Sequence, residues 1–130
     1  MMIDHIGFAV QDAEVSRLFY TAALAPLGIT LIMTATPEQT ESGGTAHGFG
    51  SDGKPFLWVG DHERVGEGTH VALAARTRSE VDAFHAAALA AGAKDNGAPG
   101  LRPHYRPDYY AAFVHDPDGN NIEAVTFAPA

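Results

Sequence analysis

The chain reads as an α+β protein of two tandem βαβββ modules, whose strands form a curved mixed sheet around an open cavity with the helices on the outer face. Three observations predict this. The order strand, capped helix, strand, hairpin occurs twice. Sliding the first half by 65 residues lays His5 on His70, Phe19 on Phe84 and Leu24 on Leu89, while four further matches are alanine on alanine and weigh little. The opening strand of each half alternates bulky with small or polar residues, and each carries histidine at the matching place.

Each element has its own local signal. Residues 3 to 10 have the two-residue period of a strand, Ile6, Phe8 and Val10 against His5, Gly7 and Ala9. Asp12 caps a helix with Val15, Leu18, Phe19 and Ala22 as its apolar stripe, stopped near Pro26 and Gly28. ITLIMTA is a strand, TPEQTESGG a loop, and AHGFG and FLWVG a hairpin about the turn SDGK. Module one is thus residues 1–60, residues 61–68 are a polar, glycine-bearing connector, and module two is residues 69–130 of a single domain. THVALAA opens the second module. Ser79, with Asp82 three positions on, caps a helix with a stripe of Val81, Phe84, His85, Ala88 and Leu89 up to Gly92. YYAAFVH and NIEAVTF are strands joined by DPDGN.

The length of 130 residues suits one hydrophobic core. There is no cysteine, which excludes disulfides, thiolate metal sites and a cysteine nucleophile. No segment has the features of a signal peptide or the length of a membrane span, so the expected location is the cytoplasm. A net charge of −8 with eight scattered basic residues argues against nucleic acid and against an anionic membrane surface. Small molecules, other proteins or a cation remain as partners.

The strand parity sets His5 with Gly7 and Ala9, and His70 with Ala72 and Ala74, on the face away from the helices, where small residues leave room. Pairing the modules edge to edge would put both histidines on a cavity wall. Glu123, inside NNIEAVTF, can supply a third ligand. Two imidazoles and a carboxylate suit one divalent ion (Fe, Mn, Zn, Ni or Co) and leave positions open for water or substrate oxygens.

The paired βαβββ order, the opening DHIGFAV, the start GTHVALAA and above all the ending FVHDPDGNNIEAVTF resemble the vicinal oxygen chelate superfamily. That superfamily contains glyoxalase I, extradiol dioxygenases, fosfomycin-resistance proteins, methylmalonyl-CoA epimerases and bleomycin-resistance proteins. The resemblance implies His5, His70 and Glu123 as metal ligands and a homodimer, in some members with exchanged modules. It implies a metal-dependent enzyme of the glyoxalase or dioxygenase type, an isomerase, lyase, transferase or ring-cleaving enzyme that chelates adjacent oxygens of a small substrate. The alternative is a non-catalytic, drug-sequestering protein like the bleomycin-resistance members. Glyoxalase I usually adds a glutamate from the last strand of module one. Here that position is Trp58 by the 65-residue offset, or Leu57 by alignment of the Asp-Gly turns, and neither coordinates. Extradiol dioxygenases have a histidine and a tyrosine before the Asp-Pro turn. His104 matches in place, whereas Phe113 stands at the tyrosine position, leaving Tyr105, Tyr109 or Tyr110 as substitutes.

The segment GLRPHYRPDYY, residues 100 to 110, concentrates further chemistry. Arg102 and Arg106 are candidates for binding a carboxylate or phosphate, and His104 and Tyr105 for acid or base catalysis. Trp58, Phe49 and Tyr110 are candidates for lining a substrate groove, where the acidic balance would favour a cationic ligand. His47, His62, His85 and His115 are read as ordinary structural or surface residues, His47 being the one placed to reach the cavity.

Overall fold

Asp12 starts the first helix as its side chain predicts, with Oδ1 accepting from the backbone N–H groups of Glu14 at 3.0 Å and Val15 at 3.1 Å. In the computed structural model, which describes residues 2–130, that helix is α1 (Ala13–Leu24). It follows β1 (Ile6–Ala9) and runs into a short 3-10 turn, Ala25–Leu27, ended by Gly28 at φ 75°. β2 (Thr30–Ala35), β3 (Ala46–Ser51) and β4 (Lys54–Gly60) complete the first unit. The β3–β4 turn places Asp52 at φ 53° and Gly53 at φ 75°, the two left-handed residues that a tight hairpin asks of an Asp-Gly pair. The second unit repeats the order with β5 (His70–Ala74), α2 (Arg78–Ala90), β6 (Lys94–Leu101), β7 (Tyr110–His115) and β8 (Asn121–Thr126).

Each unit makes one four-stranded mixed sheet, in the orders β1-β4-β3-β2 and β5-β8-β7-β6. In each, the first strand pairs parallel with the last and the rest is antiparallel. The α+β class and the two modules agree with expectation. Both sheets are open, with β1 and β5 each having one ladder partner among the described residues. Their free edges face each other across a cleft of about 410 Å³ lined by Ile3, His5, Ile6, Phe56, Leu57 and Val71–Ala74, among others.

One continuous core joins the units. It includes Val10, Phe19, Leu24, Phe49, Leu57 and Val59 from the first, and Val71, Val81, Phe84, Val114, Ile122 and Ala124 from the second. Tyr20 packs edge-on against Phe19 and tilted against Phe49. Its hydroxyl donates to Asp116 Oδ2 at 2.5 Å, in the DPDGN turn of the other module. Asp116 also accepts from the backbone N–H groups of Asp118 and Asn120 and from Asn120 Nδ2. A buried carboxylate with four donors is well satisfied, and it fixes the turn that leads into β8.

Three expectations about the helices change. Val15 and Leu18 are 46% and 58% exposed, and the buried face of α1 is Ala13, Ser16, Phe19, Tyr20, Ala23 and Leu24. The helix turns so that Tyr20 reaches Asp116. Thr77, not Ser79, caps α2, with Oγ1 accepting from Glu80 N while the Glu80 carboxylate accepts from Arg76 N. Leu89 is exposed beyond the buried row Val81, Phe84, His85 and Ala88. No helix among the described residues is long and apolar enough to cross a membrane.

Candidate metal centre

The parallel pairing of β5 with β8 sets His70 opposite Asn121 and Ala72 opposite Glu123. With a two-residue period, His70, Ala72, Ala74 and Glu123 therefore share one face, while Val71, Leu73, Ile122 and Ala124 enter the core under α2. Nε2 of His70 lies 3.0 Å from Oε1 of Glu123. Two donor atoms bound to one ion at right angles, each at about 2.1 Å, are separated by about 3.0 Å, so this pair already has the spacing of neighbouring ligands. Nδ1 of His70 lies 3.2 Å from the backbone carbonyl of Asn121. Donation there puts the ring proton on Nδ1 and leaves the Nε2 lone pair for a cation.

Glu123 is 2% exposed, whereas His70 is half-exposed. Its second oxygen, Oε2, accepts from the Tyr109 hydroxyl. Burial and the neighbouring carboxylate push the Tyr109 pKa up to about 12, which keeps the hydroxyl a donor. A buried carboxylate that among the described residues meets one tyrosine, one imidazole and no Lys or Arg has the chemistry of a ligand for a divalent cation.

His5 carries the matching arrangement in the first unit. Nδ1 is 2.7 Å from Asp4 Oδ1, which also takes Lys54 Nζ at 2.7 Å, so the His5 Nε2 is again the free nitrogen. His5 lies at the rim of the cleft between the sheets, exposed, and does not join His70 and Glu123. Among the described residues, no three His, Cys, Asp or Glu side chains of one chain gather into a metal-holding cluster.

The register decides between Trp58 and Leu57. Glu123 lies opposite Ala72, two residues after His70, and Trp58 lies opposite Gly7, two residues after His5. Trp58 is thus the counterpart of Glu123. A Cβ on Gly48 would come 2.9 Å from the Trp58 ring, so the indole reaches over that glycine.

The remaining sequence candidates separate by face. Phe49 is 0% exposed and packs on Tyr20 in the core, and Tyr110 donates to Asp82 on α2 at 2.6 Å with Arg78 over its ring. Strand parity turns both toward the helices, which corrects their placement in a groove. His47 also faces the helix side, 4% exposed, with Nδ1 2.8 Å from Thr34 Oγ1. Arg102 spans Gly97 and Gly100, donates to the carbonyls of Ala98 and Gly100, and lies 5.4 Å from the centre of the Phe113 ring, which itself stacks on His70. Arg106 pairs with Asp108 and covers Phe127. His104 and Tyr105 pack against each other with their rings tilted, 4.2 Å between centroids, at the exposed tip of the same loop. His85 meets Asp95, and His115 meets the Gly119 carbonyl.

Of the three tyrosines that could substitute at the Phe113 position, Tyr109 is the one whose hydroxyl meets Glu123. A signal existed: Tyr109 has the parity of Phe113, and Phe113 pairs with Glu123 across the strands.

The model of the Glyoxalase/Bleomycin resistance protein/Dioxygenase superfamily matches residues 2–124. A glyoxalase/bleomycin resistance protein from Albidiferax ferrireducens T118 is 31% identical, with TM-score 0.74 over 99% of this chain and 100% of its own. A glyoxalase/bleomycin resistance protein/dioxygenase family enzyme from Burkholderia phytofirmans PsJN is 18% identical, with TM-score 0.70 over 97% of this chain and 98% of its own. Glyoxalase I from Zea mays, 22% identical, has TM-score 0.71 over 95% of this chain and 43% of the longer maize chain. No curated protein matches the chain. The paired four-stranded sheets and a family match over almost their whole length lead to one conclusion: the chain belongs to the glyoxalase/bleomycin resistance protein/dioxygenase superfamily.

Proposed function

We propose that this protein is a homodimeric, metal-dependent enzyme in which His5 of one copy and His70 with Glu123 of the other hold a single divalent ion. The observation that carries this reading is the His70–Glu123 pair, set at ligand spacing with the Nδ1 proton of His70 committed to a backbone carbonyl. The distance of His5 from that pair, and the free β1 and β5 edges beside the cleft, support a second copy as the source of the third ligand. When bound, a divalent ion supplies Lewis-acid polarisation of two neighbouring substrate oxygens.

The chain's own residues narrow the chemistry. Trp58 offers no carboxylate, so the reaction has no base from module one at the position of Glu123. Phe113 and Ala72 form an apolar wall beside the ligand pair. Arg102, held by two carbonyls, is the fixed cation on that side and would orient an anionic substituent. His104 and Tyr105, in the loop that Tyr109 ties to Glu123, are the acid and base candidates. A second reading, ligand sequestration without chemistry, is favoured by one observation: a half-buried indole stands where a ligand carboxylate would be.

Metal analysis of protein purified without a histidine tag tests the proposal. The expected result is one Mn²⁺, Fe²⁺, Zn²⁺, Ni²⁺ or Co²⁺ per subunit, lost in His70→Ala and Glu123→Gln. No bound ion after incubation with these metals contradicts it, and ligand binding that survives both substitutions favours sequestration.

A further inference from the structure

The loop between β6 and β7 is pinned at its base, where Arg102 N donates to the Tyr109 carbonyl at 2.7 Å. Within it, Tyr105 packs edge-on against Tyr109 at 5.0 Å, and Tyr109 against Phe127 at 5.5 Å, with Arg106 over the Phe127 ring at 4.1 Å. The Tyr109 hydroxyl leaves this aromatic row and donates to Oε2 of the buried Glu123. Glu123 has few other holds: its strand fixes the backbone, but Tyr109 is the side chain that sets the rotation of the carboxylate opposite His70.

We propose that Tyr109 is a positioning residue that fixes the Glu123 carboxylate with Oε1 toward His70, and so couples the order of the loop at residues 102–109 to divalent-ion binding. The inference rests on the metal reading above. The geometry has two consequences. Without the hydroxyl, Oε2 is buried and unpartnered and the carboxylate rotates, so ion affinity drops. The same bond ties the loop to β8, so its loss frees the loop even before an ion binds.

The test uses the untagged protein as wild type, Tyr109→Phe and Tyr110→Phe. The last removes a hydroxyl that bonds to Asp82 on the helix side and leaves the ligand pair alone. Mn²⁺ affinity is measured by titration calorimetry, and amide exchange over residues 102–109 is measured in the metal-free and Mn²⁺-loaded proteins. The expected result is a drop of about 10- to 100-fold in Mn²⁺ affinity for Y109F, the size typical of a lost partner behind a ligand. Loop exchange should be faster in metal-free Y109F, and Mn²⁺ should slow it in wild type. Y110F should bind Mn²⁺ as wild type does, with a lower unfolding midpoint. Wild-type Mn²⁺ affinity in Y109F overturns the inference while leaving the metal reading intact, as does an affinity loss of equal size in Y110F. No Mn²⁺ binding by wild type overturns both.

Discussion

Glu123 and Trp58 occupy the same position in the two modules, each on the last strand, opposite the residue two places after its module's histidine. One module therefore presents an imidazole with a carboxylate, and the other an imidazole with an indole. Glycine on both neighbouring strands, Gly7 and Gly48, leaves room around Trp58. Trp58→Glu is expected to create a four-ligand site and to raise Mn²⁺ or Ni²⁺ affinity by about tenfold or more, ~1.4 kcal/mol. Titration calorimetry of both proteins checks it, and an unchanged or weaker affinity would count against the alignment of His5 with the ion.

The Asp116 carboxylate holds the turn that leads into β8, the strand of Glu123. Removing it in Asp116→Ala strands the Tyr20 hydroxyl and the Asn120 donors in the core and is expected to cost about 2–4 kcal/mol. Tyr20→Phe removes one donor only and should cost about 1 kcal/mol. Urea unfolding measures both. A smaller loss in D116A than in Y20F would show that the turn does not depend on this network.

His47 is expected to make stability depend on pH. Burial holds its pKa below the ordinary imidazole value, and the Arg17 charge adds to the effect. The unfolded imidazole, near about 6.5, then binds protons more readily than the folded one. Stability is full above that pH and falls as the pH drops through it. Unfolding free energies at about pH 7.5 and 5.5 should differ more in wild type than in His47→Gln. Equal differences in the two proteins would place the acid sensitivity elsewhere.

Much of this arrangement was legible in the chain, for reasons that particular residues make plain. The alternation in HVALA fixed which side of β5 meets the helix, because an intervening Val71 and Leu73 have nowhere else to go. Asp12 and the Asp-Gly pair at 52–53 act locally, so their caps and turns could be read directly. β6 could not be read that way: KDNGAPGL contains Gly97, Pro99 and Gly100, and it pairs with β7 only through register shifts around the glycines. The buried face of α1 departs from the apolar pattern because hydrophobicity favours Val15 and Leu18, whereas Tyr20 on the buried face bonds an aspartate 96 residues away. His5 marks the other limit. Its type and register identify it as a ligand candidate, but its distance from His70 depends on how the two sheets meet, which no local pattern encodes.

The proposal of a site shared between two copies is tested most directly by mixing two variants that each lack one ligand. His5→Ala and Glu123→Gln are each expected to lose Mn²⁺ binding alone. If the three ligands come from two copies, a mixed dimer has one damaged site and one intact site. Unfolding the variants together and refolding them at equal amounts should then restore about a quarter of the wild-type Mn²⁺ content, as random pairing into dimers requires. A mixture that binds no more than its components, or a His5→Ala protein that binds like wild type, would contradict an ion held between two copies of the chain.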